Sequence, residues 1–250
     1  LHVIHRRQRQ MCIRDSPSEV FDTILDDKEI LKRATAVTKN YDAFTLAADD
    51  WFHRKQGTMY DVKKKLFLAM MNVNILEGLR FYVSFACTFS FAESKNMEGS
   101  AKIVSLVARD EATHLNLSTH VLKNWIKGLD DKDFKKIAAE CEDEVLDMWR
   151  TCVDEEKAWA NYLFKDGAII GLNEELLHHY VEFIANKRLK ALGYKTIYDR
   201  PLNNNPLPWT QHWLSSSGLQ VAPQETEVES YIIGGIKQDV DEDVLKGFKL

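Results

Sequence analysis

Three features of this sequence predict an all-α fold. Glycine and proline are scarce, 11 and 5 in 250 residues, while Leu, Ala, Glu and Lys are abundant, a composition that favours helices. Apolar residues recur at spacings of three and four over most of the chain, the period of a helical face. Helix-starting and helix-stopping residues punctuate those runs. At 45% hydrophobic, the chain can bury a sizeable core as one domain.

Residues 1–15 do not read like the rest. His2, His5, Arg6, Arg7, Arg9 and Arg14 crowd a segment without helical or strand period, and the run from Arg7 to Ser16 reads as translated adaptor sequence joined to a gene. This segment is set apart as non-native or disordered, and a helical domain is expected over residues 16–222. Ser16-Pro17-Ser18-Glu19 combines a capping-box spacing with Pro at the first helical position, predicting a helix from Pro17 to Asp26. A longer helix from Lys28 to about Phe52 follows, then a loop at Gln56-Gly57. The next long helix, through Glu77, is expected to end near Lys95-Asn96. Gly99-Ser100 open another, through His114, that stops at Lys127-Gly128. Asp131 or Asp133 caps a helix running to about Phe164. Asn173 caps the helix Glu174 to Leu192, with Leu172 and Leu177 as a hydrophobic staple and Gly193 as its C-cap. Trp209 and Trp213 share a short helix beyond the turns at Asn203-Asn204-Asn205-Pro206. Residues 223–250 hold seven acids against three lysines, a net of −4, and predict a disordered tail. Tyr231, Ile232, Ile233, Phe248 and Leu250 mark that tail as a segment that folds on a partner.

A net charge of −5 leaves no basic footprint for nucleic acid. The most apolar run, Phe81 to Ala92, has 12 residues. A membrane span needs about 20, so the run reads as a buried helix. The four cysteines form no Cys-x-x-Cys pair, and reduced thiols fit a cytoplasmic protein.

Two apolar stripes carry polar residues. Leu66, Met70, Val73, Glu77 and Phe81 share one helical face; Ile103, Val107, Glu111, His114, Leu117 and Val121 share another. Both faces are expected to be buried. A lone buried carboxylate neutralises or finds a cation, so two carboxylates and an imidazole on facing stripes point to a metal. Glu111-Ala112-Thr113-His114 places a carboxylate and an imidazole about 5–6 Å apart at Cβ, close enough to grip one ion. Carboxylate-bridged di-iron bundles take one Glu from each of two helices and a Glu-x-x-His from each of two others; these residues supply half of that set. Glu175-Leu176-Leu177-His178 has the same spacing, but Glu174 and Glu175 there suit a helix N-terminus electrostatically.

The surrounding text resembles the small, radical-bearing subunit of class Ia ribonucleotide reductase. The resemblance is carried by Glu77-Gly78-Leu79-Arg80-Phe81-Tyr82-Val83-Ser84-Phe85-Ala86-Cys87, by Met97-Glu98-Gly99 and by Ala108-Arg109-Asp110-Glu111-Ala112-Thr113-His114-Leu115. It continues through Asp166-Gly167-Ala168-Ile169-Ile170-Gly171-Leu172-Asn173, Asn205-Pro206-Leu207-Pro208-Trp209 and Val221-Ala222-Pro223-Gln224-Glu225 to the tail. It implies a ferritin-like di-iron helical bundle, N-terminally truncated, whose flexible tail binds a large subunit. Glu77, Glu111 and His114 match the second-half ligands of a site for two iron ions, with manganese as the alternative; hard carboxylates with imidazole and no thiolate suit either better than structural zinc. Asp110 matches a carboxylate linking the metal site to the radical path. Phe81, Phe85 and Val107 match the apolar pocket that shields the radical. Tyr231 matches a tail tyrosine that relays it, Glu225 a residue of subunit coupling, and Phe248 and Leu250 the terminal anchor. The resemblance also implies a cytoplasmic homodimer paired with the ribonucleotide reductase large subunit, binding neither nucleic acid nor membrane.

Departures accompany it. No carboxylate, second Glu-x-x-His and tyrosine four residues beyond it precede Glu77, and the tryptophan that starts the family's radical path is missing too. The chain alone is therefore expected not to generate a stable radical. Another ferritin-like di-metal oxidase is the first competing reading. A non-catalytic helical interaction protein, with Glu77, Glu111 and His114 as a satisfied polar cluster, is the second.

Overall fold

The computed structural model describes residues 28–215. The expectations for the Pro17 to Asp26 helix, for the first 15 residues and for Glu225, Tyr231, Phe248 and Leu250 fall outside the described residues. The elements are α1 (Lys28–Phe52), α2 (Met59–Ile75), a π turn (Leu76–Arg80), α3 (Phe81–Glu93), α4 (Glu98–Lys127), α5 (Lys132–Glu140), α6 (Glu142–Leu163), α7 (Glu174–Leu192) and α8 (Thr210–Leu214). Among the described residues there is no strand, only an isolated bridge between Ile169 and Leu172.

Local chemistry sets the ends of these helices. Thr58 and Asp61 form a reciprocal capping box at the start of α2. Asn173 accepts a bond from the Leu176 amide at the start of α7, and Leu172 and Leu177 are both buried beside it. Gly128 and Gly193 end α4 and α7 in the left-handed conformation.

The α2–π–α3 helix runs unbroken from Met59 to Glu93 and is the spine of the core. By length and composition it could cross a membrane, but 67% of its most apolar window is buried inside the protein. Phe67, Met71, Ile75 and Leu79 from this spine pack against Ile137 of α5, Trp149 and Val153 of α6, and Leu177, Tyr180 and Leu189 of α7. A smaller cluster joins Phe85, Phe89 and Ala92 of α3 to Ala101 and Ala108 of α4, closed by Trp213 of α8.

Three expectations are corrected. The helix expected from Asp131 to Phe164 breaks at buried Cys141, because Glu142, Asp143 and Glu144 are better placed as the first turn of a new helix than in an interior. The helix through Glu77 is not uniformly α: a π turn spans Leu76–Arg80. The stripe on α4 is not buried. Ile103, Val107 and Leu117 are 55%, 45% and 64% exposed, and the residues facing inward are Ala101, Ser105, Ala108, Leu115, Ser118 and Leu122. Most of that inward face is small side chains, with Leu115 and Leu122 completing it. Val107 is thus open to solvent among the described residues.

Candidate metal centre

The π turn carries Glu77, and α4 carries Glu111 and His114 one helical turn apart. One potential ligand atom from each residue lies within 4.8 Å of the other two. The three side chains that the spacing singled out therefore converge. His114 Nδ1 is 3.6 Å from Glu111 Oε2, too long for a hydrogen bond, so the pair does not tie up the imidazole nitrogen. His114 is exposed, while Glu77 and Glu111 are partly buried.

Glu77 is oriented from beneath. Ser118 Oγ donates to Glu77 Oε2 at 3.3 Å, and Asn74 Nδ2, one turn before Glu77 on the spine, donates to Ser118 Oγ at 3.0 Å and to Thr119 Oγ1 at 2.9 Å. Burial raises the Glu77 carboxyl above its ordinary pKa, and the Glu111 charge adds to this; the Ser118 hydrogen bond and His114 oppose it. Two carboxylates and an imidazole brought this close make a donor set that a divalent cation would complement. The residues fit a hard or borderline metal.

The other expected site residues are placed less uniformly. Asp110 is exposed, next to Glu111. Phe81 is half-buried, its ring 6.0 Å from that of buried Phe85, which continues at 6.2 Å to Phe89 and at 5.4 Å to Trp213. These rings form an aromatic ladder leading away from Glu77. His178, the imidazole of the second Glu-x-x-His, pairs instead with Asn161 Oδ1 at 2.9 Å and the Lys157 carbonyl at 3.2 Å. It is a structural histidine.

Sequence reasoning missed Ser118, Asn74 and Tyr41. Ser118 follows His114 by one turn and could have been found on that stripe. Tyr41 of α1 carried no sequence signal, because only tertiary packing brings its phenol near the spine; burial first, and then the Glu77 charge, raise its pKa. Two hollows on the described surface, one lined by Glu93, Glu98 and Trp213 and the other by Tyr82, Arg188 and Gln211, do not include the triad.

Comparison with known proteins matches the family model "Ribonucleotide reductase, small chain" over residues 9–206. The chain is 44% identical over 261 aligned residues to ribonucleoside-diphosphate reductase 1 subunit beta of Escherichia coli O157:H7, covering 99% of this chain and 69% of that protein. It is 36% identical to the ribonucleoside-diphosphate reductase subunit beta of Enterobacteria phage T4, covering 98% and 69%. Among solved structures, the ribonucleotide reductase R2 subunit from Clostridium botulinum superposes with a TM-score of 0.63 at 26% identity, over 80% of this chain. The chain spans only 58% of that structure's length.

Proposed function

We infer the function from one premise: this chain belongs to the ribonucleotide reductase small-chain family. It is the small subunit of an oxidoreductase that reduces ribonucleoside diphosphates to deoxyribonucleotides, in which a large subunit binds the substrate. The observation that carries this reading beyond kinship is the convergence of Glu77, Glu111 and His114. These three would hold half of a di-metal site, with iron proposed and manganese as the alternative. When bound, such a centre supplies the oxidising power, drawn from dioxygen, that starts a radical.

The chain's own residues have narrower tasks. Ser118 fixes one oxygen of Glu77, and Asn74 fixes Ser118. Phe81 and Phe85, whose rings lie 6.0 Å apart further along the same helix as Glu77, take the role of the apolar pocket that shields the radical. Asp110, beside a ligand and open to solvent, takes the role of a carboxylate that links the metal site to the radical path. Tyr231 relays the radical, and Glu225, Phe248 and Leu250 couple the subunit to its larger partner. The working form is a cytoplasmic homodimer bound to that partner.

Iron(II) titration of the full chain tests the reading. Saturable binding is expected, weakened by Glu77→Gln, Glu111→Gln or His114→Ala by at least the roughly 10–100-fold that loss of a residue supporting a ligand costs. No binding, or binding indifferent to all three changes, would favour the competing reading of a satisfied polar cluster. Oxygen treatment of the iron-loaded chain is expected to give no stable tyrosyl signal by electron paramagnetic resonance.

A further inference from the structure

The π turn that carries Glu77 is gripped from two other helices through its backbone. Arg188 of α7 donates from Nε to the Gly78 carbonyl at 3.2 Å and from Nη2 to the Tyr82 hydroxyl at 2.7 Å, with its guanidinium over the Tyr82 ring. Arg33 of α1 donates from Nη2 to the Arg80 carbonyl at 3.1 Å, and the same nitrogen pairs with Glu156 Oε1 of α6 at 2.6 Å. The Arg80 side chain is pulled the same way, paired with Glu155 and lying 3.6 Å from Glu156. Glu156 is fully buried, so this anchor is shielded from water. The Trp159 ring, 4.7 Å from the Arg33 guanidinium, completes it.

Helices rarely hold a π turn unaided, and such turns gather at functional sites. A π turn contains one residue more than the α turn it replaces. Losing that residue would rotate one flank of the helix against the other by about 100°, the angle of one residue at 3.6 per turn. Glu77 could not then face Glu111 and His114 while Arg80 faces α6. Both backbone bonds come from guanidiniums, and hydrogen bonds to charged donors are the stronger kind.

We propose that Arg33 and Arg188 are positioning residues. By holding the Arg80 and Gly78 carbonyls from two different helices, they lock the π turn in the register that sets Glu77 against Glu111 and His114. The proposal rests on the metal-site reading above, but its geometry stands separately.

The test uses the full chain with Arg188→Met, Arg188→Lys, and the double change Arg33→Met with Glu156→Gln, which leaves no unpaired buried carboxylate. Two quantities are measured: amide hydrogen exchange across residues 76–82, and cobalt(II) affinity from its absorption spectrum. The expected result is exchange across the π turn faster by about tenfold or more in both Met variants. Exchange in α4 and α7 stays unchanged, and cobalt(II) affinity falls about 10–100-fold. Arg188→Lys, which keeps the charge but only one donor group, falls between. Unchanged exchange at residues 76–82 in folded Met variants would overturn the proposal, as would faster exchange spread evenly over all helices. If the unaltered chain binds no cobalt(II), the metal reading fails alone, and the exchange pattern still decides the positioning role.

Discussion

Replacing Gly78 with Ala probes the packing on which the centre is built. A Cβ at this position would lie 2.9 Å from Leu115 Cδ1 of α4 and 3.4 Å from Arg188 Cγ of α7. Carbon atoms prefer about 3.5–4.0 Å, so Leu115, itself buried, would have to withdraw by roughly 0.6 Å or more, or α4 would have to move out. Overpacking of this kind costs about 1–3 kcal/mol. Ala recovers about 1 kcal/mol over Gly through helix propensity. The net is a loss of about 1 kcal/mol, a fall in Tm of roughly 2–4 °C for a chain of this size. The companion change Leu115→Ala removes the obstructing carbon. In urea denaturation, the double variant Gly78→Ala with Leu115→Ala is expected to be less destabilised than the sum of the singles by about 0.5 kcal/mol or more. Additive behaviour, or a rise in Tm for Gly78→Ala alone, would refute the claim that close approach of α4 to the spine selects glycine there.

The buried anchor at Glu156 gives a pH signature. Burial pushes this carboxyl up from 4.5 to about 7, against the pull of Arg33 and Arg80. The folded state therefore binds its proton more tightly than the unfolded state, and stability falls as pH rises from about 4.5 to about 7. Glu156→Gln removes that slope, so the variant should gain on the unaltered chain by on the order of 1–3 kcal/mol between about pH 5 and about pH 8 in urea denaturation. Parallel pH profiles would contradict this. At the start of α7, Asn173→Ala loses the cap on the Leu176 amide and should cost about 1 kcal/mol, read as a lower thermal midpoint; no change would mean that the Leu172 and Leu177 staple holds that end alone.

Much of the fold was legible in the sequence because short-range chemistry decides it. Thr58 aside, the caps at Asn173, Gly128 and Gly193 were read from residue type and spacing, and they stand where expected. The triad was legible for the same reason, since Glu111 and His114 are neighbours on one helix and Glu77 interrupts an apolar stripe. What was not legible depends on neighbours distant in sequence. Nothing local distinguishes the π turn from an α turn; the guanidiniums of Arg33 and Arg188 reach it from other helices. The face that α4 turns inward was misjudged because periodicity ranks Ile103, Val107 and Leu117 above Ala101, Ser105 and Ala108, whereas it is the smaller set that is buried. The break at Cys141 was hidden by an apolar pattern that continues across it, through Ile137, Cys141 and Val145.

Everything proposed for the site requires that Glu77, Glu111 and His114 share one metal ion. Anomalous X-ray diffraction at the iron edge, from crystals of the full chain grown with iron(II) in the absence of oxygen, tests it most directly. An anomalous peak is expected between the two carboxylates and the His114 imidazole, with Ser118 still bonded to Glu77. A peak held by other residues, or full diffraction with none at the triad, would contradict it.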